Sequence, residues 1–495
     1  MVLDAAVRPY ADATGIPIDY LKLALCLALS CVLSPQLPRL PNATSRHVAN
    51  VLVSTCFLVG IMHLYGGMAE LVATSLVVYA IAKFRVGGRH MPWVAFAFEM
   101  GHIVVTHLRR QLVHVPLTTI EISAMHMVLC MNLTTFAWDC YDGQMRTEAE
   151  CDAAQKLSRI PRMPSMLAFL GYCFYFPGVL VGPSTRFRDY EAWADGDLYR
   201  PALSPPPGRF RVAGGDIVFA LAALATQAAL SERYSYQRLA DAADPVQRLS
   251  LGHRIVYVQL CGIIARTRYF GVWSLSDAAC ILSGLGYAGT DPATGRTEWT
   301  RGKNIYVLRF EFANNWKELL DAWNANTNVW LRNTVYKRVA KPGKRPGFKS
   351  TMLTFLVSAL WHGTSPGYYF TFLLGGFFLS LARILRQYVR PIVFADPRSA
   401  NPALSTLSHF TAVQLLYSAV SILLVQVTVN YAALSFLTLD VASSFRAWHA
   451  LGWYGHILAA AGILLHQMGA FKPLRKLHKA KGAQSLQDAP KAKAM

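Results

Sequence analysis

The sequence predicts an all-α protein that threads a membrane many times, and three observations carry that prediction. Apolar side chains make up 53% of the 495 residues and charged ones only 15%, and the mean hydropathy is +0.29, where a soluble enzyme carries about 25% charge. The apolar residues gather in runs of helical length. Lysine and arginine concentrate in a few of the intervening connections, so the net charge of +20 reports membrane topology and anionic lipid headgroups, and no nucleic-acid partner is expected.

Taken in order, Asp4, Asp12 and Asp19 precede the first apolar run at 20–34, and no cleavage pattern dominates after it, so a retained, short membrane segment is expected. Further spans are expected near 48–65, 67–84, 93–108, 118–137, 165–181, 213–230, 251–266, 270–287, 350–361, 367–389, 407–430 and 447–470. Several fall short of the ~20 residues that a full crossing needs. About eleven crossings, with re-entrant and amphipathic pieces between them, therefore make one polytopic domain over 1–470, followed by a basic tail at 471–495. The longest polar insertions are 139–164, 184–212 and 288–349; the middle one contains Pro205, Pro206 and Pro207 and cannot be continuous helix. Most of the nine cysteines sit inside apolar runs and read as small core residues, with neither disulfide nor zinc spacing. Asn42-Ala43-Thr44 is a glycosylation sequon.

Orientation follows from the cations. Arg338, Lys341, Lys344, Arg345 and Lys349 form one basic segment, Arg383, Arg386, Arg390 and Arg398 a second, and the tail from Lys472 to Lys493 a third, whereas 363–367 and 431–445 contain neither lysine nor arginine. That alternation puts the three basic segments, the tail among them, in the cytosol. Within the helix starting near 350, His362 comes twelve residues on, or roughly 18 Å at about 1.5 Å per residue, which sinks it deep in a ~30 Å hydrocarbon core or towards its lumenal half. An ionisable side chain at that depth costs roughly 2.5 kcal/mol or more unless it faces a wet cavity or a partner, and so marks a candidate functional site.

Two stretches hold the candidate chemistry. Trp323-Asn324-Ala325-Asn326-Thr327-Asn328-Val329-Trp330-Leu331-Arg332 closes a run with apolar or aromatic residues at 312, 316, 319, 320, 323, 330 and 331, which predicts a helix. Trp361-His362-Gly363 then interrupts a hydrophobic helix. Imidazole, with a reference pKa near ~6.5, suits proton removal from an attacking alcohol at neutral pH. Asn324 offers an uncharged hydrogen-bonding partner, with Asn328 on the same helical face as its fallback.

At these residues the chain resembles the membrane-bound O-acyltransferase family, and more closely its fungal lysophospholipid acyltransferase branch. The resemblance rests on Trp323-Asn324, Trp330-Leu331-Arg332, Val335-Tyr336-Lys337-Arg338, Trp361-His362-Gly363 and Pro366-Gly367-Tyr368-Tyr369. Phe136 to Gly143, Pro177 to Phe187, and Arg268-Tyr269-Phe270 with Trp273 and Asp277 extend it across most of the chain. It implies helices around a central tunnel, with His362 and Asn324 as the catalytic pair. It also implies transfer of a fatty acyl group from acyl-CoA to the free sn-2 hydroxyl of a lysophospholipid in the endoplasmic reticulum membrane, with no cofactor beyond that co-substrate and no metal. Trp323, Trp330, Arg332, Tyr336, Lys337, Arg338, Trp361 and Tyr368 form the expected substrate-binding set, with Trp323 and Trp361 excluding water and Arg332, Lys337 and Arg338, together with Lys344, as the candidates to meet CoA phosphates. Lys491 and Lys493, five and three from the end, look like a K-x-K-x-x retrieval signal.

Rival readings stand beside these. His102, His126, His456 and His466 also lie in apolar runs, and a polar helix face would account for Asn324, Asn326 and Asn328 together. Lysines and arginines at a membrane surface often only snorkel or meet anionic lipid. Gly363-Thr364-Ser365-Pro366-Gly367 fits the G-x-S-x-G pattern of serine hydrolases, but that motif needs a strand before the serine, and Pro366 lacks the N–H that an oxyanion hole uses. Glu99, Glu121, Asp216, Arg266 and Asp277 raise a transporter reading; structural pairing, such as Glu99 with His102, opposes it. A family relative acting on a sterol, diacylglycerol or protein is the alternative within the fold.

Overall fold

The computed structural model describes residues 2–116, 118–340, 347–394 and 411–474. Lys341, Lys344, Arg345, Arg398 and the tail from Arg475 onward, with its retrieval-like lysines, lie outside the described residues. The described chain is mostly helical; its strand content is a two-stranded antiparallel ribbon, Gly289–Thr290 against Thr297–Glu298, within the third polar insertion.

Among the described residues five helices are long and apolar enough to cross a bilayer: Ile18–Arg39, Tyr65–Lys83, Arg209–Leu230, Pro366–Val393 and Ala412–Thr438. Others of comparable length carry polar side chains because they face protein, not lipid. Ser123–Gln144 is the clearest case. It buries Asn132, Thr134, Asp139 and Asp142 along with its apolar residues, and so runs through the interior with packing on nearly every side. The Phe136 to Gly143 stretch therefore belongs to this helix, although 139–164 reads as a polar insertion in the sequence.

Leu251–Ser283 is a single helix of 33 residues, about 50 Å long, where the sequence suggests two spans parted near Arg266. The charge breaks nothing because it is matched: Arg266 donates to both oxygens of Glu311, at 3.0 and 2.8 Å, and to the Asn430 side-chain oxygen at 2.5 Å. Its packing against Arg209–Leu230 leaves no room at Gly271, where a Cβ would come 2.5 Å from Leu224 Cγ. The expected 165–181 span is instead the two short helices Met166–Cys173 and Phe176–Val179, with Phe169, Tyr172, Phe174 and Phe176 almost fully buried. The 447–470 stretch is likewise divided, into the end of Val441–Ala450 and Tyr454–Gln467.

Each candidate intramembrane acid has a polar or charged partner, while Glu99 Oε2, Asp216 Oδ2 and Asp277 Oδ1 are buried without a hydrogen bond among the described residues. Glu121 meets Arg110 at 3.1 Å, Asp216 meets Lys303 at 3.7 Å, and Asp277 accepts from the Asn304 backbone at 3.2 Å. Glu99 does not pair with His102. It accepts from Thr74 at 2.8 Å and faces His126 at 3.6 Å, while His102 turns to Glu70 at 3.0 Å. Helical spacing alone favours the neighbour one turn away; packing between helices decides otherwise.

Candidate active site

The run expected to be one helix through Asn324 is broken there. Trp316–Ala322 ends, Trp323 is extended, and Asn324 takes φ 43° and ψ 54° before Ala325–Leu331 begins and passes into a π-helical turn, Arg332–Tyr336. The left-handed region is disfavoured for L residues but tolerated by asparagine. Tertiary hydrogen bonds hold the break open: Tyr306 donates its N–H to the Ala322 carbonyl at 3.0 Å, and the Asn304 carbonyl accepts from Ala325 at 2.8 Å. Asn304 is in turn anchored by the buried Asp277 on Leu251–Ser283.

This geometry exposes one side of the Asn324 amide. Thr327 donates to Asn324 Oδ1 at 2.8 Å, so the side-chain NH2, which has no partner among the described residues, is left as an available donor. Asn328, the fallback, is tied to Asp321 at 2.8 Å, and Asn326 to the Gly302 carbonyl at 3.1 Å. Trp323 is enclosed by aromatic rings, Phe310 at 4.9 Å, Trp273 at 5.1 Å and Tyr269 at 5.6 Å between centroids.

His362 is the last residue of the helix Phe348–His362, 15 residues long, about 22 Å. Gly363 follows at φ 148°, where a Cβ would lie 2.7 Å from the Tyr368 ring, so glycine is required for the turn into Pro366–Val393. The imidazole is half-buried and flanked by Trp361 at 4.7 Å, Phe372 at 5.0 Å, Phe436 at 5.1 Å and Tyr368 at 6.0 Å. Neither ring nitrogen is hydrogen-bonded among the described residues, so the lone pair of the neutral ring is available to a proton.

The two stretches meet on Ser123–Gln144. Trp361 donates its indole N–H to the Met127 carbonyl at 3.0 Å, Thr327 Oγ1 lies 3.2 Å from the Met131 sulfur, and Trp330 donates to Thr134 at 2.8 Å. Positions 127, 131 and 134 share one helical face, with 127 and 131 about 6 Å apart along the axis. The rings of Trp330 and Trp361 close the arrangement at 5.6 Å. The structure thus brings together the segments of Asn324 and His362, with Trp330, Trp361 and Tyr368 beside them.

The expected phosphate ligands are placed differently from one another. Arg332 is exposed. Lys337 meets Asp152 at 2.9 Å; partial burial opposes charge on Asp152, but Lys337 and the amides of Gln155 and Ala154 outweigh it and hold the carboxyl below its usual range. Arg338 lies 3.9 Å from the Trp138 ring centre and binds both oxygens of the buried Asp142. With Arg146, 2.7 Å from Asp142 Oδ1, it neutralises a buried acid. Tyr336 is half-buried in the same turn. Sequence reasoning missed Asn304 and Thr327, which shape the Asn324 turn; the three-residue spacing of Asn324 and Thr327 is the one signal for either.

Ser365 lies between two helices with no strand before it, which removes the nucleophile elbow that its glycines suggest.

Comparison with known proteins gives a family model, described as MBOAT, membrane-bound O-acyltransferase family, that matches residues 111–425. A Schizosaccharomyces pombe protein named lysophospholipid acyltransferase is 37% identical over 465 residues, covering 92% of this chain and 88% of the relative. One of the same name from Saccharomyces cerevisiae is 33% identical over 499 residues, covering 97% of this chain and 79% of the relative. The human membrane-bound glycerophospholipid O-acyltransferase 2 is 26% identical over 482 residues, covering 93% and 87%.

Proposed function

We propose that this chain, which belongs to the membrane-bound O-acyltransferase family, transfers a fatty acyl group from acyl-CoA to the free sn-2 hydroxyl of a lysophospholipid. The observation that carries the reading is its 37% and 33% identity, over most of both chains, to two fungal proteins that bear the name lysophospholipid acyltransferase. Glu121, Asp216 and Arg266 each meet an opposite charge, which is consistent with an enzyme rather than a transporter path.

In this reading neutral His362 takes the hydroxyl proton as the alcohol oxygen attacks the thioester carbonyl carbon. Asn324 donates from its free NH2 to the oxygen that becomes negative, a contribution of about 10²–10³ in rate when such a donor is well placed. The tetrahedral intermediate collapses, the C–S bond breaks, and the imidazolium returns its proton to the departing CoA thiolate, leaving the new ester and the neutral ring. The aromatic walls around both residues exclude the water that would otherwise hydrolyse the thioester. Arg332, exposed and, unlike Lys337 and Arg338, without a carboxylate partner among the described residues, is the first choice for a CoA phosphate.

The same reading takes about eleven crossings of the endoplasmic reticulum membrane by one domain, a tunnel leading from the cytosolic face and from the lipid to His362, and a basic tail in the cytosol. The cation-rich and cation-free connections in the sequence support that orientation. The test is purified protein with labelled acyl-CoA and a panel of lysolipids, sterols and diacylglycerol. Transfer to lysolipids, abolished by His362→Ala, is expected; acylation of another acceptor alone, or of none, overturns the reading.

A further inference from the structure

The turn that presents His362 is gripped from outside its own helix, by the end of Met91–Leu112. His107 on that helix is buried, and its Nε2 lies 3.1 Å from the Trp361 carbonyl oxygen. That carbonyl belongs to the last turn of Phe348–His362, where the carbonyls have no partner within the helix. Because a carbonyl only accepts, Nε2 must carry the proton in this bond, and the tautomer of His107 is thereby set. One turn further along, Gln111 Oε1 accepts from the Thr364 hydroxyl at 2.6 Å. The chain between passes close to the same helix, for a Cβ on Gly363 would stand 3.8 Å from His107 Cγ. Positions 107 and 111 therefore grasp residues 361 and 364, on the two sides of His362.

We propose that His107, seconded by Gln111, is a positioning residue for the reaction: it fixes the backbone on either side of His362 and so sets where the imidazole stands relative to the acyl and hydroxyl groups. The proposal rests on His362 being the base. His107 touches neither substrate in this scheme and uses its N–H alone, so its charge state and basicity are not needed. A neutral side chain with a donor at similar reach should replace it. Misplacement of a reacting group by about 1 Å can cost on the order of 10²-fold in rate, whereas substrate binding in the surrounding tunnel should not sense the change.

The experiment compares His107→Ala, His107→Gln and His362→Ala in the full-length protein, with kcat and KM for acyl-CoA and for a lysophospholipid, and a thermal midpoint for each variant. The expected result is a 10- to 100-fold loss of kcat for His107→Ala at unchanged KM, with His107→Gln, which keeps an N–H donor, within a few-fold of the parent. The proposal is overturned if His107→Ala turns over normally, if the loss appears in KM, or if the glutamine variant, folded by its thermal midpoint, is as slow as the alanine one. Inactive His362→Ala beside fully active His107→Ala overturns the clamp alone; active His362→Ala overturns the base assignment and the clamp together.

Discussion

In the proposed mechanism Asn324 combines two roles, one catalytic and one conformational, and replacing it separates them. Its φ of 43° would cost an ordinary L residue roughly 1–2 kcal/mol, while glycine adopts it freely. Its side chain, with Oδ1 held by Thr327 at 2.8 Å, presents an N–H donor. Loss of such a donor from a developing oxyanion costs about 2.7–4 kcal/mol, or 10²–10³ in kcat. Asn324→Gly removes the amide and keeps the turn; Asn324→Ala removes the amide and strains the turn. Both should lose kcat by a similar 10²–10³-fold at little-changed KM, while the alanine variant alone melts earlier. The assay is steady-state acyl transfer from labelled acyl-CoA, paired with thermal unfolding in detergent. A glycine variant with near-parental kcat would refute the reasoning, because it would leave the asparagine only a conformational task.

Other outcomes follow from the same contacts. Arg338→Gln leaves the buried Asp142 with Arg146 as its one cationic partner among the described residues, 2.7 Å from Oδ1, and should lower stability by about 1–3 kcal/mol, seen as poor yield or an early melt, whereas Arg332→Gln should leave the melt unchanged and raise KM for acyl-CoA. Trp361→Phe removes the 3.0 Å bond to the Met127 carbonyl, which keeps its helical partner; a cost of about 0.5–1.5 kcal/mol and a lower kcat are expected, measured by melting and turnover. Ser365→Ala should turn over like the parent, and a loss of covalent acyl-enzyme along with activity would restore the serine as nucleophile. Asp277→Ala should slow turnover through the Asn304 anchor, with Asp277→Asn, which keeps an acceptor, close to the parent.

What could be read from the chain alone divides along a physical line. Gly363 and Pro366 announce the turn after His362, and the hydrophobic runs on either side are the helices Phe348–His362 and Pro366–Val393, because local periodicity and breakers suffice there. The break at Asn324 is invisible to periodicity. The side-chain pattern continues across it, and the hydrogen bonds that impose it come from residues 304 and 306, some twenty positions earlier. The same limit hid the continuity of Leu251–Ser283, where an arginine that looks like an interruption is balanced by Glu311 and Asn430, and the choice of His126 over His102 by Glu99. Arg338 carried a plausible signal for phosphate binding, but its acid partner, Asp142, lies nearly two hundred residues away.

The helix Ser123–Gln144 works as a common ruler for two stretches that share no segment of chain. Thr327 and Trp330 are referenced to marks 131 and 134, and Trp361 to mark 127. A rigid displacement of this rod therefore carries the segments of Asn324 and His362 together, because both are tied to the same helix and not to one another through the chain.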